Sequence, residues 1–315
     1  METNINKAVA YLDILGFKNI VRIDIRSAFQ QLWAINSMLN NRFTDYITYQ
    51  SQPPLTDPDL IDLQKRTLFD GVTFYFPYSD SIFASSDKCD LFVQQLSNLI
   101  YELYDYSINN GFEFPILYKG GISYGEATRQ PMHIIQGGNV SKVYNIIGEA
   151  VIDAVSLESY TYTDNCGQCR KLKGPRLLLS KELYGQLTET KDYCIPVKES
   201  NGTLYEVLWP DYAYIKQKLP FQNIQEFSEH FYKMFDNAYR LWKKYKKEDN
   251  VLKRNGDDRI SLHYEELIKL IISSTTIYFM RKNNLQNTVD LEMTKYINSK
   301  KDDELKEICN FQIHL

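Results

Sequence analysis

The chain has 315 residues, 43% hydrophobic and 24% charged, a balance that excludes an intrinsically disordered protein and allows a packed core. Its formal net charge of −4 argues against a surface that neutralises a nucleic-acid backbone, so we expect no nucleic acid among its partners. The apolar run near the N-terminus is too short for a secretory signal or a membrane span, which favours a cytoplasmic location and no membrane partner.

The cysteines do not indicate a disulfide framework. There are five of them, an odd number, at widely spread positions. Cys166 and Cys169 form half of a zinc-ribbon pattern, but no second pair of Cys or His follows at a useful spacing. We therefore favour a loop with two incidental thiols over a metal site.

The first predicted element is a buried strand. Residues 8–12 are an apolar run rich in strand-forming residues, and the chain then breaks at Gly16, so the strand ends near Asp13. A helix is predicted over about 24–43, because apolar residues recur there at helical spacing. Its apolar side is expected to comprise Ile25, Phe29, Leu32, Ile35 and Leu39.

A hairpin and a second helix follow. Residues 72–77 and 81–86 are predicted to be strands joined by a tight turn that presents Asp80 at its tip. Helical spacing predicts a helix over 89–109, and 114–125 is predicted to be a strand that carries a glycine pair.

The remaining elements complete the fold prediction. Apolar spacing over 141–160 predicts another helix, and short strands are predicted at 175–180, 193–198 and 204–209. The resulting β-α-β-β-α-β order indicates an α+β class, with a ferredoxin-like antiparallel sheet covered by helices.

The composition of the sequence changes after Asp211. Lys, Asn and Glu become frequent, and helical periods run through about 222–300. We predict a domain at 1–215 and a helical C-terminal extension at 216–315.

Two acidic residues are candidates for chemistry. Asp13 ends a buried strand and Asp80 lies at a hairpin tip, so adjacent strands would bring their carboxylates to one sheet edge. Such oxygen ligands suit Mg²⁺ or Mn²⁺. Taken alone, each aspartate is more often a cap or a solvated turn residue.

The turn after Asp13 has two interpretations that can hold together. Backbone N–H groups near Gly16 and Phe17 could cradle phosphates at the start of the following helix. Structurally, Gly16 would serve the turn and Phe17 would be a core side chain.

Four ordered motifs together resemble the class III nucleotide cyclases. AYLDILGF at 10–17 is similar to the first metal motif of that family, and YSDSIFA at 78–84 to its second metal hairpin. YKGGISYG at 118–125 is similar to its basic-x-Gly-Ile strand, and GEAVIDAVSLE at 148–158 to its dimer-helix motif. Four motifs in the family's order are far more specific than any one of them.

A narrower resemblance is to the Pycsar pyrimidine cyclases of bacterial anti-phage defence. It is carried by GGISYGE, the helix motif, GPRLLLSKELY at 174–184 and LYEVLWPDY at 204–212. It implies production of cyclic UMP or cyclic CMP, which activates a separately encoded effector. The resemblance covers about the first 215 residues and leaves the helical extension unexplained.

The resemblance implies a set of site residues. Asp13 and Asp80 would hold two divalent metal ions, Mn²⁺ or Mg²⁺, with the Ile14 carbonyl as a further ligand. Phe76 stands where purine cyclases carry a base-selecting lysine or glutamate, and Asn145 stands at its companion position. A purine-binding partner is therefore missing, whereas the Asn145 amide offers a donor and an acceptor to a smaller base.

The transition-state pair of many cyclases is replaced here. Its Asn and Arg positions fall at Ile152 and Ser156, so another cation, Lys119 or Arg176, would have to neutralise the developing charge. Either could equally be a solvated surface charge. On one continuous helix Asn145, Ile152 and Ser156 would share a face, which in the resembled family crosses a homodimer interface to reach the partner's nucleotide.

These observations lead to one expected function and two alternatives. We expect a pyrimidine nucleotide cyclase acting on UTP, slightly favoured, or CTP, by a two-metal mechanism. Phe76 disfavours an adenylate or guanylate cyclase. The replacements at Ile152 and Ser156 motivate the other alternative, a catalytically silent nucleotide-binding or scaffold protein.

Overall fold

The structure is a computed structural model that describes residues 5–50, 61, 71–75, 80–136, 139–163, 166–200, 202–211, 224–254, 259–281 and 286–310. The chain divides into two units. The N-terminal unit comprises Met1–Tyr162 and Arg176–Val207, and the C-terminal unit comprises Thr163–Pro175 and Leu208–Leu315. The limits 1–215 and 216–315 remain our proposal for the domains.

The first half of the N-terminal unit has the predicted β-α-β-β-α-β order. Its elements are β1 (Ile5–Ile14), α1 (Phe17–Ile23), α2 (Ile25–Gln50), β2 (Val72–Tyr75), β3 (Ser81–Ser86), α3 (Cys89–Asn109) and β4 (Tyr118–Gln136). β1 pairs antiparallel with both β3 and β4, and β2 pairs antiparallel with β3. The strand order β2-β3-β1-β4 is that of a split β-α-β unit, so the predicted α+β class is confirmed.

Shorter elements follow β4. They are β5 (Asn139–Ile147), α4 (Glu149–Glu158), β6 (Thr161–Thr163), β7 (Cys169–Lys171), β8 (Leu177–Ser180), α5 (Lys181–Gln186), β9 (Cys194–Pro196) and β10 (Leu204–Val207). The strands β5, β8, β9 and β10 among them extend the sheet. β8 pairs parallel with β4, and β10 and β9 continue the sheet beyond it. β5 pairs with the distal part of β4.

The predicted helix over 141–160 is wrong in its first half. Residues up to Ile147 form β5, and the helix α4 begins only at Glu149. β4 continues well beyond the predicted end at 125 and offers a long edge, along which β5 pairs from Asn139 to Ile147. The helical spacing of apolar residues gives this segment only a weak local preference for a helix. Hydrogen bonds to a neighbouring strand outweigh that preference.

The predicted apolar side of the helix at 24–43 is also partly wrong. Ile35 and Leu39 of α2 are buried, together with Ala28 and Gln31, whereas Phe29 is 69% exposed. Ile25 is exposed as well. Two apolar stripes run along this helix, and only one of them is buried.

The sheet presents two different faces at β1. Neighbouring residues in a strand point to opposite faces, so Leu12 and Ile14 share one face and Tyr11 and Asp13 share the other. α4 packs on the Tyr11 face, where Ala150 and Ala154 join a buried cluster with Val9. On the opposite face, Leu32 and Ile35 of α2 line a cavity together with Ile14. Asp13 therefore lies on the α4 face.

The C-terminal unit is helical, as the sequence predicts. Its helices are α6 (Ile224–Val251), α7 (Ser261–Arg281), α8 (Gln286–Ser299) and α9 (Asp303–Asn310). The buried carboxylate of Asp249 accepts hydrogen bonds from the backbone N–H groups of Ile260 and Ser261, which ties the end of α6 to the start of α7. In the described parts of the chain, no helix has the length and apolar character needed to cross a bilayer.

The five cysteines are all free, as predicted. Cys166 and Cys169 are exposed, and Cys169 opens the short strand β7. Among the described residues, no group of three or more His, Cys, Asp or Glu side chains could hold a metal ion.

Asp90 fastens the start of α3 to the segment around Thr188 and Thr190. Its carboxylate accepts the backbone N–H of Thr190 at 2.9 Å and that of Thr188 at 3.0 Å, and both threonine hydroxyls donate to it. Burial alone would raise the pKa of this carboxyl, but the donors of Thr190 and Thr188 outweigh it and lower the pKa of Asp90.

Replacing Asp90 with alanine is expected to lower the free energy of unfolding by about 2 kcal/mol, because several donors lose a charged acceptor. The folded-state pKa is depressed, so this stabilisation is present above the pKa of an unfolded aspartate and is lost as pH falls through the folded value. Urea denaturation of wild type and D90A at neutral and acidic pH measures both effects. If the free energies of unfolding of wild type and D90A differed by the same amount at every pH, the lowered pKa of Asp90 would be contradicted.

Candidate functional site

The register of β1 and β3 brings the two predicted aspartates together. Asp13 lies opposite Ser81, and the N–H of Ile14 donates to the backbone oxygen of Asp80 at 3.3 Å. Asp80 immediately precedes β3. The hydrogen bond to Ile14 places it beside the end of β1. The side chain of Asp13 is 22% exposed, so the acid pair is accessible without being fully solvated.

A chain of hydroxyl groups supports Asp13. The Ser81 hydroxyl donates to Asp13 Oδ1 at 3.3 Å, and Tyr11 Oη lies 3.0 Å from Ser81 Oγ. Since the Ser81 proton is directed at the carboxylate, Tyr11 is the donor to Ser81. These contacts orient one oxygen of Asp13.

Lys119 provides the cation beside the acid pair. Lys119 lies opposite Asp13 in the β1–β4 register, and its Nζ is 3.6 Å from Asp13 Oδ2. The same ammonium also pairs with Glu158 Oε1, at the end of α4. The other cation considered from sequence, Arg176, forms an ion pair with Glu206 of β10 at 2.8 Å.

The electrostatic state of Asp13 reflects these neighbours. Burial raises the pKa of Asp13, and the charge of Asp80 raises it further, while Lys119 and Ser81 oppose the shift. A nearby cation stabilises the ionised form of a carboxyl group whose ionisation is unfavourable. The acid pair is therefore a favourable position for added positive charge.

An apolar cavity adjoins the acid pair on the α2 face. It has a volume of about 290 Å³, and Asp80, Ile82 and Tyr118 contribute to its walls. The Tyr118 hydroxyl is buried and has no hydrogen-bond partner in the part of the chain that the structure describes. Burial raises the pKa of Tyr118, which keeps the hydroxyl neutral. These walls reduce the polarity around Asp80.

The turn after Asp13 has the geometry predicted from its glycine. Gly16 adopts a left-handed backbone with φ of 77°, a conformation that favours glycine, and it caps α1. Its carbonyl accepts hydrogen bonds from Asn19 and Ile20. Phe17 is only 8% exposed, so its ring is a core side chain and only its main chain could meet a phosphate.

Two other predicted binding residues, Asn145 and Ser156, lie on different elements. Asn145 is on β5 and not on a helix with Ile152 and Ser156, so the shared face predicted for the three does not exist as a helix face. The Asn145 side-chain oxygen accepts the N–H of Ile146. Ile152 and Ser156 share the exposed side of α4, and Phe76 lies outside the described residues.

Two contributing residues were not identified from sequence. Ser81 follows Asp80 directly, so its proximity could have been inferred from the hairpin. Glu158 ends the helix motif at 148–158, yet no sequence pattern links it to Lys119, 39 positions earlier. Only the packing of α4 on β4 brings the two together.

The donor set at the acid pair fits a hard divalent cation. Asp13 and Asp80 offer carboxylate oxygens, which suit Mg²⁺ or Mn²⁺, and Ile14 was predicted to add a backbone carbonyl. These ions keep several water or phosphate ligands, so two protein carboxylates suffice. Neither histidine nor cysteine is required.

Comparison with known proteins gives matches among solved structures. No protein-family model and no curated protein matches the chain. The guanylyl cyclase Cya2 is 12% identical with a TM-score of 0.41, and the match covers 65% of this chain and 92% of that one. A bacterial light-regulated adenylyl cyclase is 16% identical with a TM-score of 0.43, covering 64% and 51%. The adenylyl cyclase CyaB from P. aeruginosa is 18% identical with a TM-score of 0.37, covering 65% and 95%.

Proposed function

We propose that this protein is a nucleotide cyclase that closes a nucleoside triphosphate to its 3′,5′-cyclic monophosphate. The observation that carries the proposal is the acid pair, with Asp13 and Asp80 at adjoining strand ends and a lysine beside them. The ordered motifs at 10–17, 78–84, 118–125 and 148–158 support it from the sequence.

In this proposal the residues of the site have distinct roles. Asp13 and Asp80 hold the divalent ions, with the Ile14 carbonyl as a further ligand, and main-chain groups at Gly16 and Phe17 approach the triphosphate. Bound metal would supply Lewis-acid activation of the ribose 3′-hydroxyl and neutralisation of phosphate charge. Lys119 adds a positive charge that stabilises the developing charge of the transition state.

The reaction forms one bond and breaks one. The 3′-oxygen attacks the α-phosphorus, the bond from that phosphorus to the bridging oxygen breaks, and pyrophosphate leaves. The hydroxyl proton passes to solvent, so no side-chain base is needed. Positioning and charge neutralisation supply most of the acceleration in phosphoryl chemistry.

The finer proposal is a pyrimidine substrate, UTP or CTP. Phe76 replaces the purine-selecting residue of the resembled family, and Asn145 offers both a donor and an acceptor to a base edge. The resemblance to Pycsar cyclases extends the proposal to a second messenger that activates a separate effector in anti-phage defence. A cytoplasmic location remains part of this proposal.

The proposed assembly is a homodimer. Ile152 on the outer side of α4 is 68% exposed, and Val155 and Ser156 are exposed beside it. An apolar residue exposed to this extent on a helix face is a candidate for burial against a second copy of the chain. Ser156, whose hydroxyl donates to the Ile152 carbonyl, would then approach the partner's nucleotide.

The exposed Ile152 and Ser156 also favour the alternative of a catalytically silent protein. Neither side chain can replace an asparagine and an arginine at a transition state, which would suit a silent nucleotide-binding protein. Two carboxylates held together at the acid pair favour the enzyme, because a scaffold does not need such an arrangement.

The deciding experiment incubates the purified full chain with Mn²⁺ and each of ATP, GTP, CTP and UTP separately. Mass spectrometry then identifies any 3′,5′-cyclic product, and we expect cyclic UMP or cyclic CMP. A cyclic purine product would retain the cyclase and contradict the pyrimidine assignment. The absence of every cyclic product from a folded dimer would favour the non-catalytic alternative.

A further inference from the structure

Lys119 lies between two carboxylates that belong to different elements. Its ammonium is 3.6 Å from Asp13 Oδ2 on β1 and pairs with Glu158 at the last residue of α4. The Glu158 side chain is 10% exposed. A carboxylate buried to this degree needs a cationic partner, so Glu158 fixes the ammonium at the edge of the acid pair.

The positions of Lys119 and Glu158 are set by close backbone packing. Gly121 lies two residues from Lys119 on the same face of β4, and the end of α4 rests directly upon it. A Cβ atom at Gly121 would lie 2.3 Å from the carbonyl oxygen of Ala154 and 3.1 Å from the backbone nitrogen of Glu158. The distance between the helix end and the strand is therefore fixed.

Lys119 shares its single positive charge between the carboxylates of Asp13 and Glu158. Lys119 and a divalent cation attract the same oxygens of Asp13, so they compete. Among the described residues, Glu158 is not part of any group of three His, Cys, Asp or Glu side chains that could hold a metal ion. It forms an ion pair with Lys119.

We propose that Glu158 is a positioning residue that retains Lys119 beside the acid pair when a divalent ion displaces the lysine from Asp13. In the metal-free protein Lys119 bridges Asp13 and Glu158 and offsets the repulsion between the aspartates. With the ion bound, the ammonium stays on Glu158 and remains within reach of the triphosphate. The inference rests on the proposed metal site at Asp13 and Asp80.

The test measures Mn²⁺ binding to the full chain without nucleotide, from the electron paramagnetic resonance signal of free Mn²⁺. E158Q is expected to weaken binding about tenfold, because Lys119 then pairs with Asp13 alone. K119M is expected to tighten binding about tenfold, because the competing charge is gone. The double variant should bind like K119M, since Glu158 acts through Lys119.

Matched controls come from the other end of the same strands. Lys7 of β1 pairs with Asp87, which follows β3, at 3.7 Å. K7M and D87N remove the same charge types far from Asp13 and should leave Mn²⁺ binding unchanged. Near-ultraviolet circular dichroism checks folding, and K119Q replaces K119M if that variant does not fold.

The outcomes separate the inference from the function on which it rests. If wild type binds Mn²⁺, D80A does not, and E158Q matches wild type, the role of Glu158 is refuted and the metal site stands. If the effect of E158Q is as large in the K119M background, Glu158 acts by its charge alone and the proposal is also refuted. If wild type and D80A bind Mn²⁺ equally weakly, both the metal site and this inference are wrong.

Discussion

Replacing Asp80 with alanine is expected to abolish cyclic nucleotide formation, with a loss of about a thousandfold or more, as for removal of a central electrostatic group in an active site. Asp80 lies beside the end of β1 and shares the acid pair with Asp13. In the proposed site its loss removes a carboxylate ligand. It also removes a charge that, after burial, helps to raise the pKa of Asp13. The fold should therefore survive. Product formation by mass spectrometry and thermal unfolding measure the two effects.

The matched control for Asp80 is Asp87. The two acids flank the same strand, β3, at its opposite ends, and Asp87 pairs only loosely with Lys7. D87A should retain wild-type activity, because a surface ion pair contributes little and the acid pair is untouched. If purified, folded D80A kept its activity, the metal assignment would be wrong.

Replacing Gly121 with alanine is expected to lower the free energy of unfolding by about 3 kcal/mol, the upper range for overpacking in a well-packed core. The added Cβ would lie 2.3 Å from the Ala154 oxygen and 2.4 Å from Leu157 Cβ. Both atoms belong to α4, which cannot shift without leaving the sheet. Guanidinium denaturation measures the loss.

Gly125 gives the control for this substitution. It lies on the same face of β4 under the same helix, but a Cβ there would be 3.7 Å from Ala150 Cβ, an ordinary contact. G125A should change the free energy of unfolding by less than about 1 kcal/mol. Equal stabilities for G121A and G125A would show that α4 does not rest on Gly121.

The sequence predicted those elements whose local pattern agrees with their packing. The apolar spacing of α3 predicted its limits, 89–109, and the apolar residues at that spacing, among them Leu96, Ile100 and Leu103, are buried. The hairpin of β2 and β3 was predicted from two strand-like runs around a turn, and its pairing is confirmed. The placement of Asp13 beside the hairpin followed from the same runs.

The failures lie where tertiary contacts decide between local alternatives. The segment before Gly148 has an apolar spacing that suits a helix, but pairing with β4 makes it the strand β5. α2 carries two apolar stripes, and a sequence cannot say which of them will be buried. The sequence does not indicate a role for Glu158, because only the packing of α4 brings its partner Lys119 near. The roles of the site residues stay predictions.

The contact of α4 with Gly121 bears on how homologous chains can diverge. The inner side of α4, with Ala150, Ala154 and Leu157, meets the sheet at backbone distance and tolerates little change. Its outer side, with Ile152 and Ser156, is exposed in the single chain and makes no such contact with the sheet. The fold therefore accommodates substitutions on the outer side of α4 far more readily than substitutions on its inner side.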